Sequence, residues 1–246
     1  MATPAVDVRA LTWRYPGDGR IALDALTLAV PAGARCLLVG RNGAGKSTLL
    51  RLLAGKHMVD ADAVRVLGRP AFHDTSLSSR VTYLGSVFPF DVDVRVAEIL
   101  SHRSSDPARR AELMRILEVD PEWHMHRVSD GQRRRVQILL ALLAPAELLL
   151  LDEVTTDLDL IARADLLTFL ASESTTRRTT IVYATHIMDA LDGWITHVAM
   201  LDQGRLIHMS EVGDIAALAE LRAAGTPSPL LRLIERWLRH PSAVPG

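Results

Sequence analysis

Nine residues, 40–48, restrict the fold of this chain more than any other feature. They form the stretch GRNGAGKST, which fits the pattern G-x-x-x-x-G-K-[ST] and lies between an apolar run that ends at Val39 and leucines at helical spacing. In a strand, loop and helix of this kind, backbone N–H groups and the helix N-terminus surround a phosphate. We therefore predict a phosphate-binding loop with the binding residues Gly40, Asn42, Gly43, Ala44, Gly45, Lys46, Ser47 and Thr48.

Two side chains of this loop indicate a nucleoside triphosphate with a magnesium ion. Lys46 would reach the β and γ oxygens, and the hydroxyl of Ser47 would bind Mg²⁺. An ordinary glycine-rich turn is the alternative. The strand before the loop and the helix after it make that alternative the weaker interpretation.

A second motif, LLLLDE at 148–153, completes such a site. A buried strand that ends in Asp152 brings a carboxylate to the metal side of the phosphates, so we predict Ser47 and Asp152 as metal ligands. Glu153 is then placed to polarise an attacking water. An apolar strand that ends in two acids usually marks only the place where a strand meets solvent. Because this motif occurs together with the phosphate loop, a catalytic role for the acids is the better interpretation.

The remaining elements predict an α/β fold with a mainly parallel sheet, because apolar strands alternate with helices. An antiparallel hairpin opens the chain, and the polar segment 86–127 predicts a mostly helical insertion. The tail has an apolar helical face around 230–238. Predicted strands are 6–15, 22–30, 36–39, 147–152, 180–185, 197–201 and 205–209, and predicted helices include 107–119, 133–144 and 160–172.

Composition excludes several classes of protein. The 28 Lys and Arg residues against 29 Asp and Glu give a net charge of -1, so we expect no direct nucleic-acid binding. The single cysteine, Cys36, excludes an internal disulfide. The longest apolar stretch is broken by Pro145 and Glu147, and the N-terminus lacks a secretory pattern, so we expect no membrane span in this chain. We expect a cytoplasmic protein, and nuclear access is compatible with this expectation.

Further motifs occur in a fixed order over nearly the whole chain. Tyr15 lies in the first hairpin, VSDGQ at 128–132 precedes the strand that ends in Asp152, DLD follows at 157–159, and His186 comes directly after a strand. In this order the sequence resembles the ATP-binding cassette (ABC) ATPases, with a signature motif, a D-loop and a switch histidine. Each piece also has an ordinary interpretation: a helix capping box, a surface histidine, or a tyrosine packed on the sheet.

The resemblance implies a P-loop NTPase core of the RecA-like type, with an N-terminal antiparallel β-subdomain and a short helical insertion. It implies a single domain, with a nucleotide-binding core at 1–85 and 146–212, a helical subdomain at 86–145 and a C-terminal extension at 213–246. It also implies a head-to-tail homodimer or heterodimer that binds ATP and Mg²⁺. Tyr15 would stack on adenine, Lys46, Glu153 and His186 would act in hydrolysis, and the partner would supply Ser129, Gly131 and Gln132.

The sequence departs from the family pattern at several positions. Ser86 stands where most members have the Q-loop glutamine, and Val154 replaces a proline. These variants resemble the stand-alone ABC ATPases associated with the Ccr/Not machinery and the plant non-intrinsic ABC proteins. That branch implies a soluble regulatory ATPase acting on a protein assembly. The alternatives are the ATP-binding subunit of a membrane transporter and a module that binds ATP without hydrolysing it.

Three other features receive structural interpretations. His124 and His126 have no nearby cysteine or acid at ligand spacing, so we do not expect them to bind a metal. Three consecutive arginines at 133–135 are expected on a solvated face or an interface. The apolar face of the tail helix is expected to cover the protein's own core, and docking on a partner is the alternative.

Overall fold

The computed structural model describes residues 3–17, 19–85 and 93–244, so Ser86 lies outside the described residues. Two sheets form the framework. The strands are β1 (Val6–Arg14), β2 (Ile21–Val30), β3 (Arg35–Val39), β4 (Val64–Val66), β5 (Arg69–Pro70), β6 (Val81–Leu84), β7 (Leu148–Asp152), β8 (Thr180–Ala184), β9 (His197–Asp202) and β10 (Arg205–Glu211).

The larger sheet has the order β10-β9-β3-β8-β7-β6, and all of its neighbouring strands are parallel except β9 and β10. Every residue of β7 and β8 is buried, as expected for parallel strands with both faces covered. The smaller sheet is antiparallel in the order β2-β1-β4-β5, and β1 pairs with β2 as the predicted hairpin. The predicted α/β fold with these two sheets is confirmed.

Seven α-helices complete the described part of the chain. They are α1 (Lys46–Leu53), α2 (Val96–Ser101), α3 (Pro107–Ile116), α4 (Asp130–Leu142), α5 (Leu160–Arg177), α6 (Ala216–Ala223) and α7 (Pro229–Arg239). Three of them, α2 to α4, lie between β6 and β7 in sequence, where the helical insertion was expected. No helix among the described residues has the length and apolarity needed to cross a bilayer.

The parallel order of strands β3, β8 and β7 explains why the site forms where it does. Residues Asp152 and Ala184 lie side by side at the carboxyl ends of these strands, and β3 ends at Val39 beside β8. Ligands of open α/β sheets bind at this edge. The fold therefore brings the phosphate loop and the acids at the end of β7, Asp152 and Glu153, to one edge of the sheet.

Helix α7 is part of the core. Leu230, Leu233, Ile234 and Trp237 are buried in the same apolar cluster as β7 and α5, so the prediction that the tail covers the protein's own core is confirmed. The ring centroids of Trp237 and His208 lie 4.7 Å apart.

Replacing Trp237 by alanine is expected to lower the free energy of unfolding by about 3–5 kcal/mol, because the lost aromatic contacts leave a cavity in the core. Denaturant titration measures the change. Arg232→Ala on the exposed side of the same helix is the matched control and should cost less than about 1 kcal/mol, since its pair with Glu235 is largely exposed. A Trp237→Ala protein as stable as wild type would contradict the placement of α7 in the core.

Candidate nucleotide-binding site

The loop at 40–48 joins β3 to α1, and its backbone requires glycine at two positions. Gly40 and Gly45 have φ angles of 154° and 104°. A Cβ on Gly40 would lie 2.5 Å from the carbonyl oxygen of Leu201, and a Cβ on Gly45 would lie 2.8 Å from that of Ala22. Gly45 is also the N-cap of α1 and offers no side chain to its first N–H groups. The loop and the helix start are therefore shaped to bind an anion.

A cavity of about 380 Å³ opens on this loop. Tyr15, residues 42–48, Asp152 and Glu153 line it, so the structure brings together most of the predicted binding residues. Gly40 and His186 line a second cavity of about 200 Å³, which shares Asn42, Lys46 and Glu153 with the first. The two cavities meet at the side chains predicted to act on the γ-phosphate.

The side chain of Lys46 folds back on the phosphate loop that precedes it. Its Nζ donates hydrogen bonds to the carbonyl oxygens of Gly40 (2.6 Å) and Arg41 (3.2 Å). Burial lowers the pKa of Lys46, and the carboxylates of Glu153 and Asp152 oppose that shift. A half-buried ammonium group beside open loop N–H groups is suited to bind phosphate oxygens.

Ser47 and Asp152 form the oxygen-rich corner of the cavity. The Ser47 hydroxyl donates to Asp152 Oδ1 (3.1 Å), and the Tyr83 hydroxyl donates to Asp152 Oδ2 (3.3 Å). Asp152 is buried at the end of β7. A hydroxyl beside a carboxylate is the kind of hard oxygen donor set that Mg²⁺ prefers, so these residues fit the ion.

Glu153 contacts His186, the predicted switch histidine, which lies 33 residues further along the chain. Its Oε2 lies 2.9 Å from His186 Nδ1 and accepts a longer hydrogen bond from the His186 backbone N–H (3.4 Å). Glu153 has a φ of 53°, an uncommon conformation for a residue with a side chain, and its N–H donates to the carbonyl oxygen of Ala184. Such a conformation costs free energy and persists where the surrounding contacts hold it.

Tyr15 lies at the rim of the larger cavity. Its hydroxyl shares a 2.7 Å hydrogen bond with the Thr48 hydroxyl, and the Trp13 ring contacts it edge to face at 4.9 Å. The Arg20 guanidinium lies 5.1 Å from the centre of the Tyr15 ring. The position fits the predicted contact with a base, and stacking on adenine stays a prediction.

The signature residues lie elsewhere. Ser129 caps α4, and both bonds of a capping box are present: Ser129 Oγ accepts from the Gln132 N–H (3.2 Å), and Gln132 Oε1 accepts from the Ser129 N–H (2.9 Å). Ser129, Gly131 and Gln132 line a cavity of about 400 Å³. None of the three is among the described residues that line the cavity around Lys46. Within one chain, Ser129, Gly131 and Gln132 therefore line a different cavity from the phosphate loop.

Residues 23–156, which include the phosphate loop, the signature motif and both Asp152 and Glu153, match the family model described as ABC transporter. The chain belongs to the ABC family. ABC transporter I family member 21 of Arabidopsis thaliana is 45% identical to it over 98% of this chain and 88% of that protein. CCR4-associated factor 16 of Saccharomyces cerevisiae is 42% identical over 82% of this chain and 77% of that protein.

Solved structures agree on the fold. The chain is similar to the ATP-binding subunit of an ABC transporter with a TM-score of 0.77, 21% sequence identity, and coverage of 96% of this chain and 99% of that one. Family membership and this cassette fold identify the protein as an ABC-type ATPase, an enzyme that binds and hydrolyses ATP.

The expectation for the arginines at 133–135 is wrong for one of them. Arg134 is buried with 6% of its surface exposed, and its guanidinium contacts backbone carbonyl groups beside the acids after β7. The side chain of Arg135 is 14% exposed and pairs with two more exposed acids, Glu118 and Asp159. Consecutive helix positions point about 100° apart, so identical neighbours on α4 meet different surroundings.

Folding brings an acid to His124 and His126 from 31 residues before His124, which their spacing in the sequence did not indicate. Asp93 Oδ1 lies 2.9 Å from His124 Nδ1 and 2.6 Å from His126 Nδ1. Arg127 Nε donates to His126 Nε2, so the proton of a neutral His126 is on Nδ1, where it can bond to Asp93. Asp93, His124 and His126 thus form one hydrogen-bonded cluster, with potential ligand atoms within 4.8 Å of one another.

Helix α7 contacts the phosphate loop, which the sequence did not predict. Arg41 Nε donates to the carbonyl oxygen of Leu238 (3.1 Å), and Leu231, Ile234 and Leu238 form an apolar wall of the cavity next to His186. The C-terminal helix therefore supports the nucleotide site as well as the core.

Proposed function

We propose that this ABC ATPase acts as a head-to-tail pair, of two copies or with a related cassette, with ATP between the phosphate loop of one chain and the signature motif of the other. The observation that carries the proposal is the separation of these motifs into different cavities of one chain. Ser129 and the N-terminus of α4 are exposed and suited to contact an anion from another molecule.

In this arrangement, the chain's own residues bind and orient the triphosphate. Lys46 would exchange its bonds to loop carbonyls for bonds to β and γ oxygens, and the N–H groups at the start of α1 would hold the same phosphates. Ser47 and Asp152 would hold Mg²⁺, which neutralises charge on the phosphates when bound. Tyr15 would contact the base at the rim of the cavity.

Hydrolysis is proposed to depend on the pair Glu153 and His186. Glu153 would accept a proton from a water molecule while the water oxygen bonds to the γ-phosphorus. The bond from that phosphorus to the bridging oxygen then breaks, which releases ADP and phosphate. His186 would hold the Glu153 carboxylate in position through Nδ1, which lies 2.9 Å from Oε2.

A mixing experiment tests the head-to-tail pair. Lys46→Ala and Ser129→Phe each remove one half of every site, so each protein alone should be inactive. A mixed pair regains one complete site of two, and random pairing of equal amounts should restore about a quarter of the wild-type phosphate release.

The matched control mixes Lys46→Ala with Glu153→Gln. Those residues belong to the same half of the site, so no mixed pair is complete and no activity should return. Recovery of phosphate release in both mixtures, or in neither, would contradict the head-to-tail arrangement. Gel filtration with ATP shows whether the mixed variants form pairs, which the second of these results requires.

We further propose that ATP-dependent pairing regulates a protein assembly in the cytoplasm, with access to the nucleus, and that transport is not its role. Support comes from the 42% identity to a protein named as CCR4-associated. The second candidate is the ATP-binding subunit of a transporter, supported by the cassette fold shared with such a subunit.

A further inference from the structure

One arginine contacts three consecutive carbonyl groups where the chain leaves the sheet: that of the last residue of β7 and those of the two residues after it. Arg134 Nη2 donates to the carbonyl oxygens of Glu153 (3.2 Å) and Asp152 (3.4 Å), and Nε donates to that of Val154 (3.3 Å). The Glu153 carbonyl oxygen also accepts from the Thr156 hydroxyl (3.1 Å). Buried carbonyl groups without partners are costly, so the bonds from Arg134 help to fix the backbone that bears both acids.

The same guanidinium contacts the end of another strand. Arg134 Nη1 donates to the carbonyl oxygen of Gly85, just after β6, and Gln137 Nε2 donates to the same oxygen (3.2 Å). Arg134 thereby joins three segments: helix α4, the end of β6, and the turn after β7. Burial lowers the pKa of Arg134, while Asp157 and Asp152 oppose the shift, and arginine keeps its charge in proteins.

Arg134 lies five residues after Ser129 on α4, about 7.5 Å along the helix axis. The helix start that is proposed to contact ATP and the guanidinium that holds the Glu153 carbonyl thus belong to one rigid element. We propose that Arg134 is a positioning residue for hydrolysis, which holds the Glu153 peptide in its φ-positive conformation and joins the signature helix to the catalytic carboxylate. The inference rests on the proposed role of Glu153.

Lysine cannot replace this contact, because its single ammonium group lacks the planar fork that spans several carbonyl groups. Arg134→Lys should therefore lower kcat for ATP about tenfold to 100-fold, since a small misplacement of a catalytic group has effects of this size. KM for ATP should stay within about twofold, because the phosphate loop is unchanged. In hydrogen–deuterium exchange, the backbone amides of 152–156 should exchange faster than in wild type.

Arg109→Lys is the matched control. Arg109 is also a buried arginine, with 8% of its surface exposed, and it donates to the Leu142 carbonyl oxygen and to Glu173, away from the described nucleotide cavities. It should lower thermal stability like Arg134→Lys without the loss of kcat or the faster exchange at 152–156. Arg134→Ala with millimolar guanidinium, below denaturing concentrations, should regain part of the lost kcat.

Equal kcat in Arg134→Lys and Arg109→Lys, or unchanged exchange at 152–156, would overturn the inference. So would a loss of activity that comes entirely through KM. Glu153→Gln separates this failure from a failure of the proposed function: if that variant hydrolyses ATP normally, the catalytic role of Glu153 is wrong, and the exchange data alone decide whether Arg134 holds the segment.

Discussion

Glu153→Gln is expected to bind ATP normally and to hydrolyse it about 100-fold more slowly or worse, because a general base contributes effects of this order. Glutamine keeps the size of the side chain. Its amide oxygen can also accept the hydrogen bond that the backbone N–H of His186 donates to Glu153 Oε2 in the wild-type protein. Removing one negative charge beside the phosphates also favours the ATP-bound pair. Phosphate release, equilibrium ATP binding and gel filtration with ATP measure the three effects.

Glu147→Gln is the matched control for this change. Glu147 comes just before β7, at the opposite end of the same strand from Glu153, and pairs with Arg80 at the surface. Its replacement should leave hydrolysis at the wild-type rate. Wild-type hydrolysis by Glu153→Gln would remove Glu153 from the mechanism and leave the phosphate loop as a binding site.

The slow variant also distinguishes the two candidate functions. An ATP-bound pair that persists is a suitable bait, since a partner that prefers this state stays bound to it. Recovery of a membrane protein with several spans would favour the transporter subunit. Recovery of a protein assembly without membrane spans, only with ATP and only with the ATP-bound pair, would favour the regulatory role.

The conformation of the predicted phosphate loop could be read from the sequence because its residues are neighbours in the chain. The loop at 40–48 is determined by local requirements: glycines with positive φ, a strand before and a helix after. The capping box of Ser129 and Gln132 is equally local. Glu153 and His186 meet because β7 and β8 are parallel neighbours, and the family resemblance, not the spacing, provided that expectation.

What the sequence did not predict depends on packing between distant segments. Strands β4 and β5 have three and two residues, too few for an apolar alternation to be recognised. The network of Asp93 with His124 joins residues 31 positions apart. Arg134 differs from the arginines beside it only in what packs against its side of α4, and no local pattern contains that information.

Lys46→Ala is expected to weaken ATP binding about 30-fold or more, because losing a partly buried charged hydrogen bond costs about 2 kcal/mol or more. Lys46 Nζ now bonds to the carbonyl oxygens of Gly40 and Arg41, so the loop would also lose its internal cross-link. Isothermal titration with ATP, and with a non-hydrolysable analogue, measures the affinity independently of hydrolysis.

Lys56 offers the matched control, since it is the only other lysine in the sequence. It is exposed, and its Nζ lies 4.8 Å from the centre of the Tyr83 ring. Lys56→Ala should leave ATP affinity within about twofold of wild type, because an exposed cation–π contact is worth only about 0.5–1 kcal/mol. Equal ATP affinities for the Lys46→Ala and Lys56→Ala proteins would mean that Lys46 does not bind the phosphates. The anion would then be held by the N–H groups of the loop and of α1 alone, and the proposed exchange of carbonyl for phosphate contacts would be wrong.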